Sequence, residues 1–92
     1  MDLKQATRRN YEATRKRGLI NETTTKVAFY NKVLEEVEEW KEKLGKPKEK
    51  EEVIDIILTC SAYLYDAYTW EEVEKTLEAK VKINELRADY GL

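Results

Sequence analysis

The segment Val53-Ile54-Asp55-Ile56-Ile57-Leu58-Thr59-Cys60 constrains this chain more than any other. It is apolar on nearly every side of a helix, which marks the most buried helix of a domain. One stripe stays polar: Glu52, Asp55, Thr59 and, further on, Asp66. Asp is a poor helix former, so Asp55 interrupts the run where Leu or Ala would propagate a helix better. With 92 residues, 39% charged and 41% hydrophobic, and only three Gly and one Pro, the chain is too apolar for disorder and too poor in turn residues for an all-β domain. The expected fold is all-α, a four-helix bundle forming a single domain over residues 1–92. So short a chain buries only about 60–65% of its unfolded surface, so oligomerisation is expected to complete the core.

Local signals place the helices near 2–17, 25–44, 48–67 and 70–89. Asp2 can cap the first helix and Gly18 can stop it. Its apolar content is thin (Leu3, Ala6, Tyr11, Ala13), so residues 1–20 read as a peripheral basic helix or arm. The second helix carries an apolar stripe of Phe29, Val33, Val37, Trp40 and Leu44, closed by Gly45. Pro47 suits the first turn of the third helix. Thr69-Trp70-Glu71-Glu72 is a capping box that opens the fourth, which is apolar on more than one face at Val73, Leu77, Val81 and Ile83.

Composition also excludes chemistry. Without histidine there is no Ser-His or Cys-His pair and no imidazole metal ligand. Gly18, Gly45 and Gly91 stand apart, so no glycine loop cradles phosphate. The single Cys60 rules out an internal disulfide and a cysteine zinc site, and its apolar setting predicts a buried, reduced thiol. No apolar run spans a bilayer and Met1-Asp2-Leu3-Lys4-Gln5 lacks a signal-peptide core, so a cytoplasmic protein with no membrane partner is expected. Net charge is −2, yet residues 1–20 carry six cations against two anions. A basic arm on an acidic body suits an anionic ligand held beside a metal, whereas the acidic body disfavours nucleic acid.

Two acidic turns carry the remaining signal. Glu36 and Glu39 share a face of the second helix, and Glu52 and Asp55 a face of the third, because residues three apart are helical neighbours. A short link through Gly45 and Pro47 makes these helices antiparallel neighbours, and each turn lies roughly 8–15 Å from the link. Four carboxylates at matching levels either face water or gather around a divalent cation. Lys32 and Lys43, each four residues from an acid of the first turn, supply the ordinary surface ion pairs of the solvated alternative.

The set Glu36-x-x-Glu39, twelve residues, Glu52-x-x-Asp55, followed by Lys80, Asn84 and Arg87 on the fourth helix, resembles the MazG-like all-α nucleoside triphosphate pyrophosphohydrolases. That resemblance covers most of the chain. It implies Mg²⁺, with Mn²⁺ as a substitute, held by Glu36, Glu39, Glu52 and Asp55, and hydrolysis of a (deoxy)nucleoside triphosphate to the monophosphate and pyrophosphate. Glu36 or Glu39 would orient the attacking water. Lys80, Asn84, Arg87 and, from the arm, Arg15 would bind substrate, with Lys16 and Arg17 adding charge. The resemblance also implies a homodimer or homotetramer. The alternatives are a non-catalytic helical oligomer and a nucleic-acid-binding regulatory module that uses the basic first helix.

Overall fold

The computed structural model describes residues 1–91, which form four helices: α1 (Leu3–Lys16), α2 (Lys26–Lys43), α3 (Glu49–Ala67) and α4 (Trp70–Tyr90). The described residues are all-α, with no strand. None of these helices is long and apolar enough to cross a membrane. The helix ends follow the local chemistry. Asp2 caps α1 reciprocally with Gln5, and Thr69 caps α4 reciprocally with Glu72. Thr25 accepts from the Ala28 amide to open α2. Gly18 follows α1 at φ +75°, a left-handed conformation that only glycine adopts without steric cost. Pro47 lies in the turn before α3, which starts at Glu49 with Lys48 as its cap residue.

Helix α3 is the central element, with α1 and α2 packed on it and α4 meeting it only at its start. The buried apolar core is Ile20, Phe29 and Ala62, with Tyr11 and Tyr63 packed against it. The Phe29 and Tyr63 rings meet edge to face, centroids 5.3 Å apart. A core this small leaves α3 less covered than its composition suggests: Ile54 is 47% and Ile57 44% exposed, and Cys60 is exposed rather than buried. The reason is that two flanking helices cover only part of a helix that is apolar nearly all round.

The basic α1 is no loose arm. Thr7 is fully buried, small enough to let two helices approach closely. One turn on, the Tyr11 ring lies 4.9 Å from that of Tyr65 and its hydroxyl donates to Asp66. Asp66, the last residue of the polar stripe on α3, thus serves to anchor α1.

The α2–α3 link is closed by Glu49, which accepts from the Trp40 indole at 2.9 Å and from the Gly45 amide at 3.1 Å. These bonds hold the Glu49 carboxyl below its ordinary value, Trp40 contributing most and Gly45 next. A depressed carboxyl stabilises the fold above its unfolded value and loses that contribution as pH falls through the folded one. Glu49→Ala is therefore expected to lower the melting temperature at neutral pH. The gap to the parent protein should close as pH falls below 4.5. A pH-independent gap would show that the ionised Glu49 does not clamp the link.

Candidate metal and anion site

The link sets α2 and α3 so that Glu36, Glu39 and Glu52 each bring a carboxylate oxygen within 4.8 Å of the others. Their burial differs: Glu36 is 7% exposed, Glu52 is half-buried and Glu39 is exposed. Glu36 Oε1 lies 3.4 Å from Lys32 Nζ, which also reaches Glu35 at 3.2 Å. Glu36 Oε2 and Glu52 Oε2 are buried without a hydrogen-bond partner. A buried carboxylate oxygen with no donor is costly, so the orphan pair leaves an electrostatic demand that the described side chains do not meet. The expected Lys32–Glu36 ion pair is present, whereas Lys43 and Glu39 form none among the described residues; Lys43 acts on Glu52 instead.

The consequence is visible in proton affinity. Burial, followed by the neighbouring Glu39, raises the Glu36 carboxyl above its ordinary value, with Lys32 opposing. Burial also leads for Glu52, followed by the charges of Glu39 and Asp55, with Lys43 opposing. Carboxylates that are pushed up together hold protons or attract a cation.

Asp55 does not join this triad. It is exposed, one turn further along α3, and lines a cleft of about 490 Å³ between α1, the 18–25 connector, α2 and α3. Glu36 is the triad member that also lines the cleft. The floor is apolar, from Ile20, Phe29, Leu58 and Ala62, while Asn10, Asn31, Thr24 and Thr59 add hydrogen-bonding groups. Arg17 and Lys32 supply positive charge against the carboxylates of Glu35, Glu36 and Asp55. The connector is held open beside the cleft by its own turn chemistry: Asn21 Oδ1 accepts from the Thr23 amide at 2.8 Å, and Thr24 Oγ1 from the Asn21 amide at 3.0 Å.

Comparison with protein-family models, curated proteins and solved structures finds no match to this chain.

The other expected substrate residues lie elsewhere. Lys80, Asn84 and Arg87 are exposed on α4, outside the cleft lining. Arg15 bonds to Glu22 at 2.8 Å and to the Tyr11 hydroxyl at 3.5 Å, so its charge is spent on the α1 anchor. Lys32 is the cleft cation that sequence reasoning passed over, because its spacing to Glu36 reads as an ordinary surface pair. Asn10 and Asn31 carried no sequence signal at all; only the packing of α1 and α2 on α3 turns them toward one cavity. A cavity of this size falls in the range of small-molecule sites. Its lining sets Arg17 and Lys32 against Glu35, Glu36 and Asp55, so with the adjoining triad it suits an anionic ligand that arrives with a divalent cation rather than a bare anion.

Proposed function

We propose that this protein hydrolyses a (deoxy)nucleoside triphosphate to the monophosphate and pyrophosphate in a Mg²⁺-dependent reaction, as its resemblance to MazG-like enzymes implies. The observation that carries the reading is Glu36: a buried carboxylate with one unpartnered oxygen, held against Glu39 and Glu52 at the edge of a cleft lined by Arg17, Lys32 and further acids. An all-oxygen acidic set without histidine or cysteine fits a hard cation such as Mg²⁺. Glu36, Glu39 and Glu52 would hold the ion, with Asp55 facing the cleft at its side. When bound, Mg²⁺ supplies positive charge to phosphate oxygens and acidifies a water.

The chain's own groups do the rest. Arg17, and Lys32 beside Glu35 and Glu36, would face the triphosphate within the cleft, which favours binding and withdraws charge from the scissile phosphoanhydride. Glu39, the exposed member of the triad, orients a water by accepting its proton through a hydrogen bond. Asn10, Asn31 and Thr24 offer donors and acceptors to the base or sugar, while the Phe29 and Leu58 floor excludes water beneath it.

The test is a panel of ribo- and deoxyribonucleoside triphosphates incubated with the protein and Mg²⁺, then with excess chelator. Expected is equimolar monophosphate and pyrophosphate from at least one member, abolished by the chelator and strongly reduced in Glu52→Gln. No turnover above the chelated control for any member, or release of orthophosphate instead, overturns the proposal.

A further inference from the structure

A second concavity lies on the other side of Phe29 from the cleft. The first two turns of α2 pack against the C-terminal half of α3, and the groove between them has a volume of about 460 Å³. Helix α2 lines it with Lys26, Phe29, Tyr30 and Val33, positions that recur on one face of a helix. Helix α3 contributes Cys60, Tyr63 and Leu64 at the same spacing. Among the described residues neither α1 nor α4 adds to the lining, so the groove stays open.

The lining differs in kind from that of the cleft. Among the described residues no carboxylate faces the groove; its one charged group is the Lys26 ammonium, which joins no ion pair there. Lys26 is also the first residue of α2, whose first turn carries no acid, so the positive end of the helix dipole lies at the same end of the groove. Ammonium and dipole together favour an anion at that end, while everything beyond it favours an apolar group. The apolar part selects for a ring, because Phe29, Tyr30 and Tyr63 make three of the seven lining side chains aromatic. An inserted ring extends a run of edge-to-face contacts already present, from Phe29 to Tyr63 at 5.3 Å and from Tyr63 to Tyr68 at 6.3 Å between centroids, the geometry that aromatic pairs prefer. From Lys26 to Val33 the groove follows α2 for about 10 Å, the length of a bicyclic ring that carries a carboxylate. Its volume falls in the range of small-molecule sites.

We propose that the groove between α2 and α3 is a second small-molecule site, which takes a planar aromatic carboxylate with its ring against Phe29, Tyr63 and Leu64 and its carboxylate at Lys26. Phe29 lines both spaces, so the occupant rests against the back of the cleft floor. The proposal uses no property of the acidic triad and stands whether or not the protein hydrolyses nucleotides.

The native Cys60 locates the ligand without any substitution, because it is the chain's only thiol, is exposed and lines the groove. The experiment titrates the full chain calorimetrically with 2-naphthoate, with its neutral isostere 2-naphthamide and with decanoate, and follows Cys60 labelling by a maleimide in parallel. Expected is one-to-one binding of naphthoate with a dissociation constant of about 1 mM or tighter. At ten times that constant, labelling should slow about tenfold, since only the free protein presents the thiol. Naphthamide should bind about fivefold more weakly, the value of an ion pair at a solvent-exposed rim. Lys26→Gln should bring naphthoate down to the level of the amide and leave the amide unchanged, a result that general damage to the fold does not produce. Failure of naphthoate to saturate, equal affinity for acid and amide, or no effect of Lys26→Gln overturns the proposal. Unchanged Cys60 labelling in the bound protein also overturns it, by placing the ligand elsewhere. Tighter binding of decanoate makes the site one for alkyl chains instead. Labelling that slows with protein concentration in the absence of ligand shows that a second copy fills the groove, and equally overturns the proposal.

Discussion

Glu36→Gln is expected to remove the proposed Mg²⁺-dependent triphosphate hydrolysis almost entirely, by roughly 10³-fold or more in turnover, while making the metal-free protein more stable at neutral pH. The two effects have one cause. Glu36 is buried beside Glu39 and Glu52 with one oxygen unpartnered, so its charge costs stability unless a cation is present, and the isosteric amide removes that cost together with the ligand. The pH dependence carries a definite sign. The folded-state proton affinity of Glu36 is raised, chiefly by burial, so its favourable contribution is complete below the ordinary value of 4.5 and is lost as pH rises through the raised one. The melting temperature of Glu36→Gln minus that of the parent should therefore be small in acid and grow as pH rises. Adding Mg²⁺ at about 100 times its dissociation constant should stabilise the parent by about 2.7 kcal/mol and leave Glu36→Gln unmoved. Calorimetry with and without Mg²⁺ over a pH series checks all three statements. An equal response to Mg²⁺ in both proteins would show that Glu36 is not a ligand.

Phe29→Ala is the substitution expected to damage the fold most. Phe29 is 6% exposed and, among the described residues, is one of three buried apolar side chains. Truncating a buried Phe costs about 3–5 kcal/mol through lost transfer energy and the cavity left behind. Against a total of about 5–15 kcal/mol for a single domain, that is a large share. The side chain also separates two spaces: it lines the 490 Å³ cleft on one side and, on the other, an apolar groove of about 460 Å³ bounded by Tyr30, Val33, Tyr63 and Leu64. Removing the ring joins them. Expected is a drop in melting temperature of roughly 15 °C or more, taking about 4–8 °C per kcal/mol for a domain of this size, with loss of ligand binding at temperatures where the protein is still folded. A drop of only a few degrees would mean that the core resides elsewhere.

Much of the architecture is legible in local chemistry. Asp2 with Gln5, and Thr69 with Glu72, satisfy backbone groups within one helical turn of themselves, so the caps they form depend on nothing distant. The same holds for Gly18 as a left-handed stop. These signals place all four helices within two residues of their ends. The central position of α3 was equally legible from its apolar run, although its coverage was not: Ile57 and Cys60 stay exposed, Cys60 in an apolar groove beside α2. Of the reading of α1 as a peripheral helix or arm, the helix stands and the loose arm fails, for a related reason. Apolar count is a poor guide when a helix is held by one small residue, Thr7, and one hydrogen-bonded aromatic, Tyr11.

For the site, the sequence by itself determined that acids on α2 and α3 stand at matching distances from a short link, because the rise per residue is the same in both helices. Only the tertiary structure decided which of them meet. Glu52 and Asp55 differ by about 60° around α3 and about 4.5 Å along it, so the crossing of the two helices brings Glu52 to Glu36 and Glu39 and leaves Asp55 to the cleft. The positive side was decided in the same way. Lys80, Asn84 and Arg87 share a helix whose distal half projects from its own domain, whereas Arg17 and Lys32 are brought to one cavity by the packing of α1 and α2 on α3. Caps and spacing are set within a few residues; convergence depends on the rotation and crossing of whole helices, which only the packed core fixes.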